Sequence, residues 1–307
     1  SGSTGKPKGV MITHQSLVNL CLWHIEAYKV DATSRGTLFS GVGFDASVWE
    51  IYPNLISGAA LYPIKKEAIR LNTQMLASFL QENKITHAYL PSKICQDIMA
   101  DDSLELSTII LTGGERLNYS VNTSLQIYNN YGPTENTVVT TYYDCKQAVK
   151  EKVSIGKPIA NTKVYVLSEN LKLQPIGVAG ELCVSGIGLS KGYLHQPELT
   201  AEKFVQNPFK AEEKLYKTGD LARWLPDGTL EFIGRKDNQV KIRGNRVELG
   251  EIEHVIREYE HAITNALVLV KEINNEPAII AYYTTTVDIE KIALRNYLKE
   301  HLADYMV

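Results

Sequence analysis

Ser1-Gly2-Ser3-Thr4-Gly5-Lys6-Pro7-Lys8-Gly9 opens the chain, and the strand-like Val10-Met11-Ile12 follows directly. Glycines let a backbone turn successive amides toward one point, and hydroxyls and ammonium groups add donors, so the loop makes a concavity suited to polyphosphate. A Walker-type loop would continue Gly-Lys with Ser or Thr; here Pro7 follows Gly5-Lys6, which disfavours that class. With no initiator Met and no strand ahead of the loop, the sequence reads as a piece of something larger.

Outward from this loop, helix-like and strand-like segments alternate. Thr13 is placed to cap a helix carrying Leu17, Leu20, Cys21 and Tyr28 on one side. After Phe44-Asp45-Ala46-Ser47, the residues Val48, Ile51, Tyr52 and Leu55 recur at helical spacing. Residues 59–64 read as a strand, Thr73 as the cap of a helix with Leu76, Phe79 and Leu80, and 87–90 and 108–111 as short buried strands. This rhythm predicts an α/β fold with a helix-covered, mostly parallel sheet. From Val153 strands and turns dominate, with Pro226-Asp227-Gly228 as a hairpin signal, so a β-rich layer is expected. Beyond Asp237 come a strand at 239–242 and a helical stripe of Ile252, Val255, Ile256 and Tyr259. Strands paired around Asn274-Asn275 and a last helix capped by Asp288 complete a small α+β unit. The expected division is 1–236 for a partial large subdomain and 237–307 for a small C-terminal one.

At 307 residues and 44% hydrophobic, the chain has the apolar material for one large domain or two smaller ones. A net charge of −3 implies no bulk attraction to nucleic acid or to a membrane surface, and no apolar run is long enough to span a bilayer. Cys21, Cys95, Cys145 and Cys183 are scattered with no Cys-x-x-Cys pair, which argues against zinc and dithiol sites and for buried thiols in a reducing cytoplasm.

Several unusual strings occur in order: Phe44-Asp45-Ala46-Ser47, Asn129-Asn130-Tyr131-Gly132-Pro133-Thr134-Glu135, Gly180-Glu181-Leu182 and Tyr216-Lys217-Thr218-Gly219-Asp220-Leu221. Gly234-Arg235-Lys236-Asp237-Asn238-Gln239-Val240-Lys241-Ile242-Arg243-Gly244 and Val247-Glu248-Leu249-Gly250-Glu251-Ile252-Glu253 follow. Together with the opening loop they resemble the adenylation domains of non-ribosomal peptide synthetases, within the adenylate-forming, AMP-binding superfamily, from the first residue to Met306. The resemblance implies that an amino acid and ATP give aminoacyl-AMP and pyrophosphate, and that the acyl group then passes to a phosphopantetheine thiol on a carrier domain, with a condensation domain as neighbour in the parent synthetase.

The resemblance also implies roles. Ser1, Gly2, Ser3, Thr4, Gly5, Lys6, Lys8 and Gly9 would hold the β- and γ-phosphates; a plain glycine-rich surface turn is the alternative. Thr134 would bond a phosphate oxygen and Glu135 would hold Mg²⁺, although Thr134-Glu135 also suits a helix start after Pro133. Tyr131, with Gly132 beside it, would offer its face to adenine, Phe232 would close the other side unless it is simple strand packing, and Asn129 would bond the adenine amino group. Asp220 would bond the ribose hydroxyls and Arg235 the ribose or phosphate; a surface ion pair is their alternative. Asp237 would be the hinge between two domain poses, and the 241–246 loop would face the pantetheine arm or form a solvated basic edge.

Asp45 would pair with the substrate α-ammonium, or serve only as a helix N-cap. The rest of the pocket, by matching positions, would be Ala46, Trp49, Tyr89, Leu111, Gly113, Asn130, Val138 and Val139. With no acid or base besides Asp45, a charged substrate side chain would lack a partner, so a medium apolar one is expected; the set resembles pockets for leucine, with valine or isoleucine leaking in. Tyr89 stands where Phe is more usual. The family's segment ahead of the phosphate loop and the lysine beyond Tyr305-Met306 are missing, so the isolated fragment is expected not to adenylate at a useful rate. An acyl- or aryl-CoA synthetase of the same superfamily and a non-catalytic nucleotide-binding module remain the alternatives; Asp45 argues against the first, and Glu135, Asp220 and Arg235 against the second.

Overall fold

The computed structural model describes residues 8–101, 103, 104, 106–118, 125–148, 153–236, 239–242, 245–259, 262–273, 276–285 and 287–307. They divide into two units, Val10–Lys236 and, with residues 8 and 9, Asp237–Val307. Among them no helix is long and apolar enough to cross a membrane.

The larger unit begins with α1 (His14–Tyr28), whose N-cap Thr13 accepts a bond from the Ser16 amide at 3.1 Å, as its sequence predicts. The chain then runs β1 (Arg35–Leu38), α2 (Asp45–Ser57), β2 (Ala60–Pro63), α3 (Glu67–Leu71), α4 (Thr73–Glu82), β3 (His87–Tyr89), α5 (Ser92–Met99), β4 (Ile109–Gly113), β5 (Gln126–Tyr131), β6 (Thr141–Asp144) and β7 (Lys157–Pro158). These strands form a seven-stranded sheet of order β2-β1-β3-β4-β5-β6-β7. It is parallel from β2 to β5, and β6 and β7 add antiparallel. Ile110, Ile127, Leu76, Leu80 and Ile98 fill the core between this sheet and its helices. The helix-covered, mostly parallel sheet expected from the sequence is therefore present.

The second sheet holds β8 (Thr162–Leu167), β9 (Gly180–Gly186), β10 (Phe204–Gln206), β11 (Lys214–Trp224) and β12 (Leu230–Arg235), with α6 (Pro197–Lys203) leading into β10. All its pairings are antiparallel, and β11 takes β10 along its first half and β12 along its second. The smaller unit has the hairpins β13 (Gln239–Ile242) with β14 (Asn245–Glu248) and β15 (Ile263–Ile273) with β16 (Glu276–Thr285). Its helices α7 (Leu249–Glu258) and α8 (Lys291–His301) share a core of Val247, Ile252, Ile256, Val268 and Leu294 with them.

Several local expectations need correction. The cap of α4 is Asn72, which accepts from the Met75 amide at 2.9 Å, not Thr73. Helix α8 starts after Glu290, with no side-chain cap bond, rather than at Asp288. In α2 the apolar stripe is inverted: Tyr52 and Leu55 are exposed, while Ser47, Trp49, Glu50 and Asn54 are buried. Periodicity located that helix but misassigned its inward face, because the inner face is polar and hydrogen-bonded: Asn54 donates to the Glu50 carbonyl at 2.7 Å, and Glu50 binds the loop after β1.

The two sheets of the larger unit meet at Gly156. The Leu230 amide donates to its carbonyl at 2.9 Å, and its φ is +82°. A Cβ there would lie 1.8 Å from the Tyr142 carbonyl oxygen on β6. Gly156→Ala is expected to cost about 2–4 kcal/mol through the left-handed backbone and this backbone clash; urea unfolding checks it, and a loss within experimental error of zero contradicts the junction.

Candidate functional site

In open α/β sheets the crevice for ligands lies outside the carboxyl ends of the parallel strands. Here Tyr89, Gly113 and Tyr131 are the last residues of β3, β4 and β5, and the loop after β1 leads into Asp45. Asp45, Tyr89, Gly113 and Tyr131 thus lie toward one end of the sheet. Tyr89 is in register with Leu111, and Gly113 with Asn130.

Asp45 is not the cap of α2. Phe44 holds that position, without a side-chain cap bond, and Asp45 is the first helical residue. Its Oδ2 accepts instead from the Thr134 hydroxyl at 2.5 Å, across 89 residues of sequence. Thr134 and Glu135 form a single 3-10 turn after Pro133, so the helix-start reading and the nearness to Asp45 coexist. Glu135 is 1% exposed, and its Oε1 accepts from the Tyr193 hydroxyl at 2.7 Å. Burial, and then the Glu135 charge, push the Tyr193 phenol well up, so it stays a donor. Tyr193 also pairs through its backbone with Val10, directly after the glycine-bearing loop. Mg²⁺ takes few protein carboxylates and leaves its other positions to water and substrate phosphates; a buried hard carboxylate beside a hydroxyl fits that donor set.

A second cluster surrounds Asp220 on β11. Its Oδ2 accepts from the Tyr131 hydroxyl at 2.5 Å and its Oδ1 from Arg235 Nη1 at 2.6 Å. Arg235 also reaches the Thr218 carbonyl at 3.3 Å, and the pair is largely shielded rather than a loose surface contact. The Tyr131 and Phe232 rings lie 6.2 Å apart, tilted by 39°. Stacking a base between two rings needs about 7 Å, twice a 3.5 Å contact, so a sandwiched adenine requires these rings to part. Asn129 is buried and donates to the Ser154 carbonyl at 3.0 Å, which commits its amide to the fold.

Trp49, Tyr89, Leu111, Val138 and Val139 belong to one apolar cluster with Tyr28 and Leu20. Trp49 meets Tyr89 edge-on at 5.6 Å and His24 at 5.7 Å, and burial lowers His24 to about 3, so it packs as a neutral ring. Ala46 follows Asp45 on α2. Asn130 is held from three sides: its Oδ1 accepts from Tyr28 at 2.5 Å, and its Nδ2 donates to the carbonyls of Tyr128 at 3.1 Å and Thr112 at 3.3 Å. A Cβ on Gly113 would fall 2.1 Å from the Asn130 carbonyl oxygen, and one on Gly132 would fall 2.2 Å from that of Val138. Gly132 therefore serves a close backbone approach. Thr137 and Val138 have φ of +52° and +68°, a conformation rare for a β-branched residue.

Of the phosphate-loop candidates, Ser1, Gly2, Ser3, Thr4, Gly5 and Lys6 lie outside the described residues, as does the hinge candidate Asp237. Gly9 is exposed, and the Lys8 ammonium stands 3.3 Å from Glu248 Oε1. Sequence reasoning missed the roles of Tyr193 and Tyr28, which orient Glu135 and Asn130 from a distance in sequence that no spacing rule spans, and that of Glu50, which binds the loop after β1.

A protein-family model described as AMP-binding enzyme matches residues 1–194, and the chain belongs to that family. It is 46% identical over its whole length to bacitracin synthase 1 of Bacillus licheniformis, while spanning 6% of that protein. Its fold matches an artificially fused adenylation–PCP di-domain, NpsA-ThdA from Klebsiella oxytoca, with a TM-score of 0.86 at 29% identity, over 100% of this chain and 62% of that one. The fold also matches an o-succinylbenzoate CoA synthetase from Bacillus subtilis, with a TM-score of 0.89 at 19% identity, over 100% of this chain and 62% of that one. The similarity to non-ribosomal peptide synthetase adenylation domains inferred from the motifs thus stands.

Glu50 gives the site a pH dependence. It is 4% exposed, accepts from the Phe39 and Ser40 amides at 2.8 Å each, and is pushed up by burial to about 7 from 4.5. A carboxyl raised on folding contributes stability that is fully present below about pH 4.5 and is lost as the pH rises through about 7. Relative to Glu50→Gln, which does not ionise, the wild type should lose on the order of 3 kcal/mol between these pH values and about pH 8. Denaturant unfolding of both proteins across pH measures this, and a pH-independent difference contradicts it.

Proposed function

We propose that this chain is the greater part of an amino-acid-activating adenylation domain, and that leucine is its preferred substrate. The observation that carries the reading is the Asp45–Thr134 bond at the carboxyl ends of the strands, with Glu135 next in sequence; the carboxylate that would bind the ammonium is beside a hydroxyl that would bond a phosphate oxygen. A substrate carboxylate oxygen attacks the α-phosphorus of ATP, the bond to the β-phosphate oxygen breaks and pyrophosphate leaves; Glu135 would hold Mg²⁺, which would supply charge neutralisation for the departing phosphates. Such chemistry needs positioning and charge neutralisation more than covalent help from the protein. Asp220, with Tyr131 and Arg235, binds the ribose, and Tyr131 and Phe232 flank the adenine once they part. A phosphopantetheine thiol on a carrier domain then takes the acyl group and releases AMP; the adenylation–PCP architecture of NpsA-ThdA supports that partner. A condensation domain is the expected neighbour in the parent synthetase. Buried Cys21, Cys95, Cys145 and Cys183, whose thiols burial raises, suit the cytoplasm. The described pocket side chains besides Asp45 are aromatic, aliphatic or, in Asn130, already bonded, which supports an apolar substrate side chain. The fold is shared with a CoA synthetase, so Asp45 is the feature that favours an amino acid over a plain acid.

ATP–pyrophosphate exchange by the full-length protein that carries this chain tests the reading. Leucine should give the highest kcat/KM, with valine about 10–200-fold lower. Preference for an acidic or basic amino acid overturns the pocket assignment. The wild type should prefer leucine to 4-methylpentanoate, which lacks only the amino group, and Asp45→Ala should erase that preference; an unchanged preference removes Asp45 from the role.

A further inference from the structure

Thr134 carries one hydroxyl proton, and in this structure that proton is given to Asp45. A threonine hydroxyl is a single donor. While Asp45 holds it, Thr134 can turn only lone pairs toward a phosphate oxygen, and these repel an anion. When a phosphate takes the proton, Asp45 loses a charge-assisted donor at a half-buried position. Such a carboxylate gains more from an incoming cation than one already supplied with a donor. An α-ammonium brings three N–H donors and a full positive charge to that vacancy.

We infer that the Thr134 hydroxyl is a shared donor whose rotation from Asp45 to phosphate makes nucleotide and amino-acid binding cooperative. The inference rests on the adenylation reading proposed above and goes beyond it, since that reading needs both ligands to bind but not to favour each other. The coupling is a bond exchange with no proton transfer: the ammonium replaces the hydroxyl at Asp45, and the hydroxyl swings to the phosphate. Because Asp45 begins α2 and Thr134 sits in the turn after β5, each fixed by its own element, neither needs to travel for the exchange. Linkage makes the effect reciprocal, so each ligand must tighten the other by one and the same factor.

Isothermal titration of the full-length protein tests this, with L-leucine and the magnesium complex of α,β-methylene-ATP as probes. Saturating nucleotide analogue should lower the Kd for leucine by about 5–50-fold, and saturating leucine should lower the Kd for the analogue by the same factor. Thr134→Val, which keeps the shape and removes the proton, should bring the factor to within about twofold of unity, while Thr134→Ser should keep it. The wild type titrated with 4-methylpentanoate in place of leucine should show no cooperativity, and this arm stands even where a Thr134 variant does not fold. A wild type that binds both probes independently, a Thr134→Val protein that keeps the coupling, or equal coupling with 4-methylpentanoate overturns the inference and leaves the adenylation reading intact. A wild type that binds neither probe overturns both.

Discussion

Everything at the site depends on how tightly the backbone between β5 and β6 folds back on itself. Gly132 leaves no room for a side chain, because its Cβ would lie 2.2 Å from the Val138 carbonyl oxygen and 2.7 Å from the Thr140 amide. The Thr140 amide closes the loop by donating to the Tyr131 carbonyl at 2.7 Å. Within this tight return the chain makes a 3-10 turn and then holds two residues at positive φ. Nine residues therefore present Thr134 and Glu135 on one part of their path and Val138 and Val139 on another. The left-handed backbone at Thr137 and Val138 costs on the order of 1–3 kcal/mol per residue and persists because the surrounding bonds over-determine it. Glu135 is bonded through its side chain to Tyr193 and through its carbonyl to Ser190, and Thr137 donates to the Gly188 carbonyl at 2.7 Å. The segment between β9 and α6 thus clamps a loop that links two strands of the first sheet.

How much of this was legible follows from what each signal can carry. Alternating segments and short apolar runs located the parallel sheet, since βαβ units leave a pattern in the chain itself. The motif strings placed Asp45, Thr134, Glu135, Asp220 and Arg235, and the structure bonds Thr134 to Asp45 and Arg235 to Asp220, while Glu135 bonds Tyr193. The inner face of α2 was not legible. Glu50 and Asn54 look like solvent residues in sequence; the amides of Phe39 and Ser40 after β1 explain the burial of Glu50, and Asn54 donates back to the Glu50 carbonyl. The same holds for Tyr28, which looks like any core aromatic until its hydroxyl meets Asn130 at 2.5 Å. A hydrogen bond between residues a hundred positions apart has no period and no fixed spacing.

The buried polar face of α2 also explains why the pocket wall can be firm without being wholly apolar. Glu50 ties the end of β1 to the helix that carries Asp45 and Trp49, and Asn130, bonded to Tyr28, Tyr128 and Thr112, ties α1 to the ends of β4 and β5. Each amide or carboxylate spent this way is removed from the set that could bond a substrate side chain. What remains toward the apolar cluster is Trp49, Tyr89, Leu111, Val138 and Val139. Besides the Trp49 indole N–H, which has no hydrogen-bond partner among the described residues, and the Tyr89 hydroxyl, a polar substrate side chain there would face apolar groups, and burying it unpaired costs about 1–3 kcal/mol.

Two aspartates show how partners sort ligands. Asp220 holds both the Tyr131 hydroxyl and the Arg235 guanidinium, so its charge is largely met within the protein and its remaining lone pairs suit neutral hydroxyls. Asp45 receives the Thr134 hydroxyl, which orients a carboxylate without neutralising it. A neutral donor is exchanged for a cation at a gain, whereas a guanidinium at 2.6 Å is not. On the proposed reading, the same residue type would serve an ammonium at Asp45 and sugar hydroxyls at Asp220. The difference lies in a threonine and an arginine that no local sequence pattern connects to either aspartate.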